Sequence, residues 1–137
     1  MPAADEVRLA VPATPEFLRL ARLTASGVAS RLSFTYDEVE DLRLALDELC
    51  FALIGPDGRA GLVELRYSVL DGSLEVRGVG AFGTASAGPP GAGPAEPALS
   101  DLSREILAAL VDEHRVYRDE TGQPCFWMLK RRRALGP

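Results

Sequence analysis

The sequence contains no asparagine, one lysine (Lys130) and one histidine (His114) among its 137 residues. A lone lysine near the C-terminus argues against a Walker-type phosphate site or a Schiff-base enzyme, because each needs a lysine on the scaffold. A lone histidine cannot form a pair of zinc ligands, and without a GxSxG motif it gives no sign of a Ser-His-Asp triad. The missing residues therefore argue against hydrolases and metalloenzymes.

Cysteines and long apolar runs are also scarce. Cys50 and Cys125 are far apart in sequence and show no CxxC or His/Cys metal spacing, so buried free thiols are expected. No apolar run reaches the roughly 20 residues of a membrane span, and the N-terminus lacks the basic region and apolar core of a signal peptide. We therefore expect a cytoplasmic protein with no membrane partner.

Positive charge is in deficit, since 15 Lys and Arg against 20 Asp and Glu give a formal net charge of -5. This balance offers no general attraction to phosphates, so no direct nucleic-acid partner is expected. The basic run at residues 130–133 is interpreted as a solvated tail. His114 is predicted near a helix C-terminus, where the dipole stabilises its protonated form. The length suits a single domain over residues 1–137.

The strongest local pattern lies at residues 41–54. Apolar residues recur there at helical spacing, namely Leu42, Ala45, Leu46, Leu49, Cys50 and Leu53. Thr35 and Glu38 form a capping box that starts this helix, and residues 55–58, GPDG, supply its stop. The pattern predicts one long helix with a continuous buried stripe.

The remaining patterns give the element order β α α β β loop α β β. Strands are predicted at residues 7–11, 62–70, 74–78, 116–117 and 125–129, with Asp71-Gly72 as a hairpin turn. Helices are predicted at about residues 15–31 and 100–114. Their buried stripes are predicted at Phe17, Leu20, Thr24, Val28 and Leu32, and at Leu102, Ile106, Ala109 and Leu110.

Residues 80–98 are rich in Gly, Pro, Ala and Ser, with Glu96 as their only charge, so they are predicted to form a mobile loop. Gly78, Gly80 and Gly83 spell GxGxxG after a strand, the pattern of a dinucleotide site. That site needs a helix to begin within the motif and point its N-terminus at the pyrophosphate. The residues that follow cannot form a helix, so the loop is the preferred interpretation.

The run PEFLRLARLTASGVASRL followed by FTYDEVEDLRLALDELC resembles the anti-sigma-factor serine kinases of bacteria. These proteins have the histidine-kinase-like ATPase (Bergerat) fold. The resemblance is strongest over residues 7–54 and continues in order and spacing to the C-terminus. It implies an α/β (α+β) two-layer sandwich, with a mixed, largely antiparallel sheet covered on one face by helices.

Most members of that family carry Glu-x-x-x-Asn on the second helix. There the glutamate is the general base toward a serine hydroxyl of an antagonist protein, and the asparagine holds the magnesium of ATP. Glu48 matches the glutamate; taken alone, an acid on a helix face is more often simply solvated. Ala52 occupies the asparagine position and offers no oxygen to a hard cation. Glu48 is therefore interpreted as a vestigial general base.

Two further family elements are missing. The adenine-binding aspartate of an Asp-x-Gly-x-Gly segment has no counterpart, because no aspartate occurs between Asp71 and Asp101. The glycine-rich phosphate motif before the last helix reads LSDLSRE, where Asp101 adds negative charge. Phosphoryl transfer depends on metal and electrostatic positioning. We therefore expect no catalytic or metal site and no cofactor, with residues 80–98 as the equivalent of the ATP lid.

The leading hypothesis is a pseudokinase that acts as an anti-sigma factor in partner switching, in stress response or sporulation. It would bind a sigma factor, an anti-anti-sigma (STAS-type) antagonist, or both. The resemblance assigns binding to the first helix at Arg22, with Arg19 and Ser26 nearby; arginine pairs bidentately with carboxylates, although solvated charges would look the same. The alternative is an active serine/threonine kinase that uses ATP and magnesium. A scaffold or decoy that binds the antagonist alone also stays open, and the family implies a homodimer.

Overall fold

Five strands and three helices make up residues 5–82 and 99–132, the part of the chain that this computed structural model describes. The strands are β1 (Glu6–Pro12), β2 (Gly61–Leu70), β3 (Ser73–Phe82), β4 (Glu113–Arg118) and β5 (Pro124–Arg131). The helices are α1 (Leu18–Ala29), α2 (Tyr36–Ile54) and α3 (Asp101–Leu110). Short 3-10 turns at Pro15–Phe17 and Ser30–Leu32 flank α1. The predicted order of elements is confirmed.

The strands form one sheet in the order β1-β2-β3-β5-β4. Val63, Leu65 and Tyr67 of β2 are buried, while the residues between them are exposed. One face of the sheet therefore packs against the helices and the other is open. The α+β two-layer fold class is confirmed. Every neighbouring pair of described strands is antiparallel, so the sheet is not of the mixed kind that we expected.

The hairpin between β2 and β3 follows from its turn residues. Asp71 and Gly72 have φ angles of 46° and 79°. Both are left-handed, as a two-residue type I′ turn requires, and Asp-Gly is a favoured sequence for that turn. The turn aligns Leu70 with Ser73 and thereby sets the register of both strands. This part of the prediction depended only on local chemistry.

The long helix α2 has the predicted cap and the predicted buried stripe. Thr35 Oγ1 accepts a hydrogen bond from the Glu38 N–H at 3.1 Å, and the Thr35 N–H donates to Glu38 Oε1 at 2.9 Å. All the apolar residues of the predicted stripe are at most 2% exposed. The helix ends at Gly55, whose φ of 74° is favourable only for glycine. Burial of this stripe fixes the rotation of α2 about its axis.

The buried face of α1 differs from the predicted one. Its buried residues are Leu18, Ala21, Ala25, Val28 and Ala29. Phe17 and Leu20, predicted as core residues, are 38% and 44% exposed. Close packing against α2 and the sheet selects the small alanines, which carry little hydrophobic signal in a sequence. Val28 and Leu32 of the predicted stripe are buried, but the alanines that complete the buried face have too weak an apolar character to be recognised in the sequence.

A buried tyrosine joins the sheet to α1. Tyr67 of β2 is fully buried, and its hydroxyl donates to the carbonyl oxygen of Ala21 at 2.8 Å. Burial raises the pKa of the Tyr67 hydroxyl well above its ordinary value. The bond satisfies a polar atom that would otherwise be stranded in the core.

The helix α3 is shorter than predicted and turns a different side to the core. It ends at Leu110, because residues from Glu113 onward pair with β5 as strand β4. Leu107 is its fully buried side chain, whereas Leu102, predicted as buried, is 65% exposed. The third predicted stripe is therefore wrong at Leu102 and Ala109, which are exposed, whereas Ile106 and Leu110 are half-buried. Tertiary contacts, and not the spacing of leucines, select the inner face.

His114 lies within β4, opposite Met128 of β5. Its predicted place near a helix C-terminus is wrong, because the helix has already ended at Leu110. Burial and, to a lesser degree, the positive charge of Arg104 lower the pKa of His114. The surroundings thus favour the neutral imidazole, the opposite of what a helix dipole would do.

The predicted solvated tail at residues 130–133 is wrong for Lys130. This side chain is only 7% exposed. Its Nζ donates to the carbonyl oxygen of Leu110 at 2.6 Å and lies 3.7 Å from a carboxylate oxygen of Asp41. Strand β5 carries the lysine inward, while Arg131 beside it faces solvent. The single lysine therefore joins β5, the end of α3 and the side of α2.

The predicted loop at residues 80–98 begins as strand. Residues 80–82 belong to β3, and the rest of that loop lies outside the described residues. A Cβ atom at Gly78 would overlap the ring of Phe126, and one at Gly80 would overlap the ring of Phe82. These two glycines of the GxGxxG pattern thus leave room for aromatic packing within a strand.

The two cysteine thiols are in the state that the sequence predicts. Cys50 and Cys125 are both buried and free, as predicted, and burial raises the pKa of each thiol. Across residues 5–82 and 99–132, we find no helix with the length and apolar character needed to cross a membrane.

Candidate active site

Glu48 of α2 faces the first turn of α3, where a serine binds its carboxylate. Ser103 Oγ donates to Glu48 Oε2 at 2.9 Å. Ser103 Oγ in turn accepts from Ser100 Oγ at 3.0 Å, and the Ser103 N–H donates to Ser100 Oγ at 3.0 Å as the N-cap contact of α3. In the family that the chain resembles, this carboxylate acts on a serine hydroxyl of an antagonist protein. Here it binds a serine hydroxyl of the chain itself, that of Ser103.

Sequence reasoning missed Ser103. In the sequence, the segment LSDLSRE shows only that the glycine-rich phosphate motif of the family is absent. Ser100 as N-cap places the residue three positions later on the first helical turn, with its backbone N–H directed at the cap. A second serine at that position was a visible signal, but its contact with Glu48 joins residues 55 positions apart in the chain.

The helices α2 and α3 are held together at two places. Asp41 and Glu48 are separated by about two turns on α2, and Ser103 and Leu110 by about two turns on α3. Glu48 contacts Ser103, whereas Lys130 bridges Asp41 and the Leu110 carbonyl. The two helices therefore run antiparallel, with the first turn of α3 fixed beside Glu48.

Ala52 lies one turn beyond Glu48 and is half-buried against the core. Its methyl group has no atom that can bind a cation. Within the described ranges 5–82 and 99–132, no group of three or more His, Cys, Asp or Glu side chains could hold a metal ion. Magnesium needs near-octahedral oxygen ligands. The residues present do not fit magnesium at this position.

The predicted partner-binding residues lie along the contact between α1 and α2. Arg22 Nη1 lies 2.7 Å from Asp47 Oδ1, and both side chains are partly exposed. Ser26 Oγ donates to the carbonyl oxygen of Arg22 at 3.1 Å. Arg19, one turn earlier on α1, is exposed. The structure thus brings Arg22 beside Asp47, the neighbour of Glu48. Ser26 lies one turn further along α1 against the backbone of Arg22, and Arg19 is exposed to solvent.

Residues 11–130 match the family model described as a histidine kinase-like ATPase domain. This match covers most of the chain, which therefore belongs to that family. The chain is similar to the serine-protein kinase RsbW of Bacillus subtilis (strain 168), with 43% identity over 76 residues, 53% of this chain and 48% of that protein. It is also similar to RsbW of Bacillus pumilus (strain SAFR-032), 42% identical over 77 residues with the same two coverages.

A serine-protein kinase RsbW of Listeria monocytogenes serotype 4a (strain HCC23) is 38% identical over 78 residues, again 53% of this chain and 48% of that protein. The chain thus spans about half the length of the curated relatives it matches. The resemblance to the anti-sigma-factor serine kinases is confirmed by the family match and by these relatives.

Two predictions are corrected by these comparisons. We predicted that the chain is not an enzyme; this prediction is overturned by the relatives, which are named serine-protein kinases. We predicted no cofactor; this prediction is overturned by the family match, because the family is described as an ATPase domain. Both predictions treated the residues at Ala52 and Asp101 as a loss of function.

Proposed function

We propose that this chain is an anti-sigma-factor serine kinase that works by partner switching. It binds a sigma factor and phosphorylates a serine of a STAS-type antagonist. One observation carries the proposal: the Glu48 carboxylate accepts a hydrogen bond from a serine hydroxyl at 2.9 Å. The names of the relatives and the ATPase family support the same activity.

Glu48 would serve as the general base. A serine hydroxyl that attacks a phosphoryl group must lose its proton, and a carboxylate at hydrogen-bond distance can accept it. Glu48 is half-buried, so a hydroxyl from another protein can approach it. Ser103 occupies Oε2 in the free chain, and it has to move aside for the antagonist serine. ATP supplies the phosphoryl group when bound.

The partner-binding surface would lie on α1 beside α2. Arg22 pairs with Asp47 in the free chain, and a carboxylate from a partner can replace that side chain on the guanidinium fork. Leu44, three residues before Asp47, and Phe51, four residues after it, lie on the same side of α2 and are 52% and 48% exposed. Apolar side chains beside a pairable arginine suit a protein partner.

The organisation of the whole molecule belongs to the same proposal. The proposal includes residues 1–137 as one domain, the part of residues 80–98 that follows the end of β3 as the ATP lid, and Arg19, Arg22 and Ser26 as partner contacts. A sigma-factor partner implies a cytoplasmic role in stress response or sporulation, and the family resemblance implies a homodimer. None of these points requires direct contact with nucleic acid.

A phosphotransfer assay tests the kinase directly. The chain is incubated with magnesium, radiolabelled ATP and the STAS-type antagonist of the same organism, and phosphoserine on the antagonist is the expected product. Glu48→Gln should lower the rate by about 100-fold or more, the usual effect of losing a general base. Glu40→Gln is the matched control on the same helix, and it should leave the rate unchanged.

Two outcomes would count against the proposal. An antagonist that binds the chain but gains no phosphate would rule out the kinase while leaving partner binding intact. Titration calorimetry with magnesium ATP gives the second measurement, since the proposal expects micromolar binding, and no heat at millimolar nucleotide would contradict it. Retention of the sigma factor on the immobilised chain, reduced by Arg22→Ala, tests the remaining step.

A further inference from the structure

A cavity of about 340 Å³ lies at the outer edge of the sheet, between α3 and strand β4. We call it the edge cavity. The described residues that line it are Leu99, Arg104, His114, Arg115 and Val116. Strand β4 is the last strand of the described sheet and pairs with β5 on one side only. The volume of the edge cavity is in the range of sites that bind small molecules.

The edge cavity lies on a different side of α3 from Glu48. Ser103 points toward α2, where its hydroxyl binds the Glu48 carboxylate. Arg104, the next residue, is turned about 100° further round the helix and lines the edge cavity. The edge cavity is therefore outside the candidate active site, although both contain a residue from the beginning of α3.

Strand β4 supplies the opposite wall of the edge cavity. His114 and Val116 are paired with Met128 and Phe126 of β5, which are fully buried. Directly paired residues lie on the same face of a sheet, so both side chains belong to the face that packs against the helices. An edge strand also presents unpaired backbone N–H groups, and the edge of a sheet can form a concave site for an anion.

The edge cavity is basic, although the chain as a whole carries a net charge of -5. Two arginines and a histidine line it, and none of the described lining residues is acidic. Within residues 5–82 and 99–132, no ion pair includes Arg104. The carboxylates that precede His114 are bound elsewhere, since Arg131 binds Asp112 through its N–H and Glu113 through its guanidinium. The positive charge of Arg104 is therefore not neutralised by a carboxylate of the described chain.

Arg104 and His114 provide donors that suit a phosphate group. The guanidinium of arginine can donate two parallel hydrogen bonds to phosphate oxygens. Burial and, less strongly, the charge of Arg104 lower the pKa of His114, so the imidazole is neutral near pH 7 and donates one hydrogen bond. Leu99, which is 9% exposed, and the half-buried Val116 add apolar surface beside these donors. This apolar surface suits an organic group attached to the phosphate.

We propose that the edge cavity binds a phosphate monoester. The phosphate group lies between Arg104 and His114, and the organic part lies on Leu99 and Val116. A cationic ligand would be repelled by Arg104, and a purely apolar ligand would cover the guanidinium without giving it an acceptor. The same phosphate chemistry occurs in a free metabolite and in a phosphoserine side chain of a protein. Binding at this cavity does not depend on the proposed kinase activity.

NMR titration of the full chain tests the proposal. His114 is the only histidine, so its imidazole signals report on the edge cavity without ambiguity. Glycerol phosphate, a phosphoserine peptide and inorganic phosphate are added separately at constant pH and ionic strength. Both monoesters should shift the signals in a saturable way, with a dissociation constant of about 1 mM or lower for the tighter one. The tighter monoester identifies the source as a metabolite or a protein, and inorganic phosphate should bind more weakly than either.

Arg104→Gln should weaken binding of the tighter monoester about tenfold or more, because it removes the charge and the paired donors. Arg66→Gln is the matched control, since it makes the same change on an exposed residue of β2 outside the edge cavity. It should bind like the natural chain, and far-UV circular dichroism should show that both variants fold. The proposal would be overturned if neither monoester gave a saturable shift at about 10 mM. Unchanged binding in Arg104→Gln, or inorganic phosphate that binds as tightly as the monoesters, would also overturn it.

Discussion

The two ends of α3 are attached to α2 by different chemistry. At the C-terminal end, the buried Lys130 holds the Leu110 carbonyl and approaches Asp41. At the N-terminal end, one hydroxyl of Ser103 binds the half-buried Glu48. Removal of a buried donor leaves its acceptors unsatisfied, whereas a hydroxyl on a partly exposed carboxylate is readily replaced by water or another hydroxyl. The fold is thus anchored at one end, and the site can exchange contacts at the other.

The largest effect is expected at the anchored end. Lys130→Met should lower the free energy of unfolding by about 1–3 kcal/mol, because it strands the Leu110 carbonyl and leaves Asp41 without its cation. Urea denaturation measures the loss. Arg132→Met, two residues away and exposed, should stay within about 0.5 kcal/mol of the natural chain. Equal losses in the two variants would show that the lysine is not an anchor.

A smaller effect is expected at the exchangeable end. Ser103→Ala should lower the free energy of unfolding by about 0.5–1.5 kcal/mol and speed amide hydrogen exchange in the first turn of α3. It should also raise the rate of antagonist phosphorylation, since Glu48 no longer has to release an internal hydroxyl. Ser103→Thr retains a hydroxyl and serves as the control. A slower reaction in the alanine variant would indicate that Ser103 assists Glu48 and does not compete with its substrate.

The ion pair beside this end should matter little for stability. Arg22 and Asp47 are both partly exposed, so Arg22→Ala should lower the free energy of unfolding by at most about 1 kcal/mol. If Arg22 contacts the partner, Arg22→Ala should strongly reduce sigma-factor retention even though it changes stability little. Arg43→Ala breaks a comparable pair with Glu40 on α2. Similar retention by both variants would remove Arg22 from the proposed surface.

The smallest effect concerns pH. The pKa of His114 is lowered in the folded chain, so between its ordinary and its lowered value the unfolded chain binds more protons. Stability should therefore be fully present above pH of about 6.5 and decline as the pH falls through that window. Denaturation midpoints of the natural chain and His114→Gln, compared from pH 7 to pH 5, measure the difference. An identical pH dependence in both would contradict the assignment.

Sequence patterns were sufficient where the determining contacts are local. The capping box of Thr35 and Glu38, the stripe of α2 and the Asp71-Gly72 turn involve residues a few positions apart, and each was predicted correctly. The inner faces of α1 and α3 were not, because neighbouring elements decide whether Ala21 or Leu20 is buried.

Contacts between residues distant in sequence limit how much of the candidate site can be predicted from the sequence. Glu48 could be located from its helix, but its partner Ser103 and the buried position of Lys130 depend on how α3 and β5 are placed. The prediction that the chain is not an enzyme failed for another reason: departures from the family motifs, such as Ala52, were given more weight than the family pattern as a whole.

The buried Tyr67 has a consequence for communication across the sheet. Its hydroxyl binds the carbonyl of Ala21, the residue before Arg22, while its chain neighbour Arg66 belongs to the opposite face. The helix surface and the sheet surface are therefore separated by one strand thickness and joined by a rigid side chain. If a partner bound at Arg22 alters the affinity of the open sheet face for another molecule by some factor, thermodynamic reciprocity requires that molecule to alter affinity at Arg22 by the same factor. Tyr67→Phe, which deletes one oxygen atom, is the smallest change that could reduce that factor.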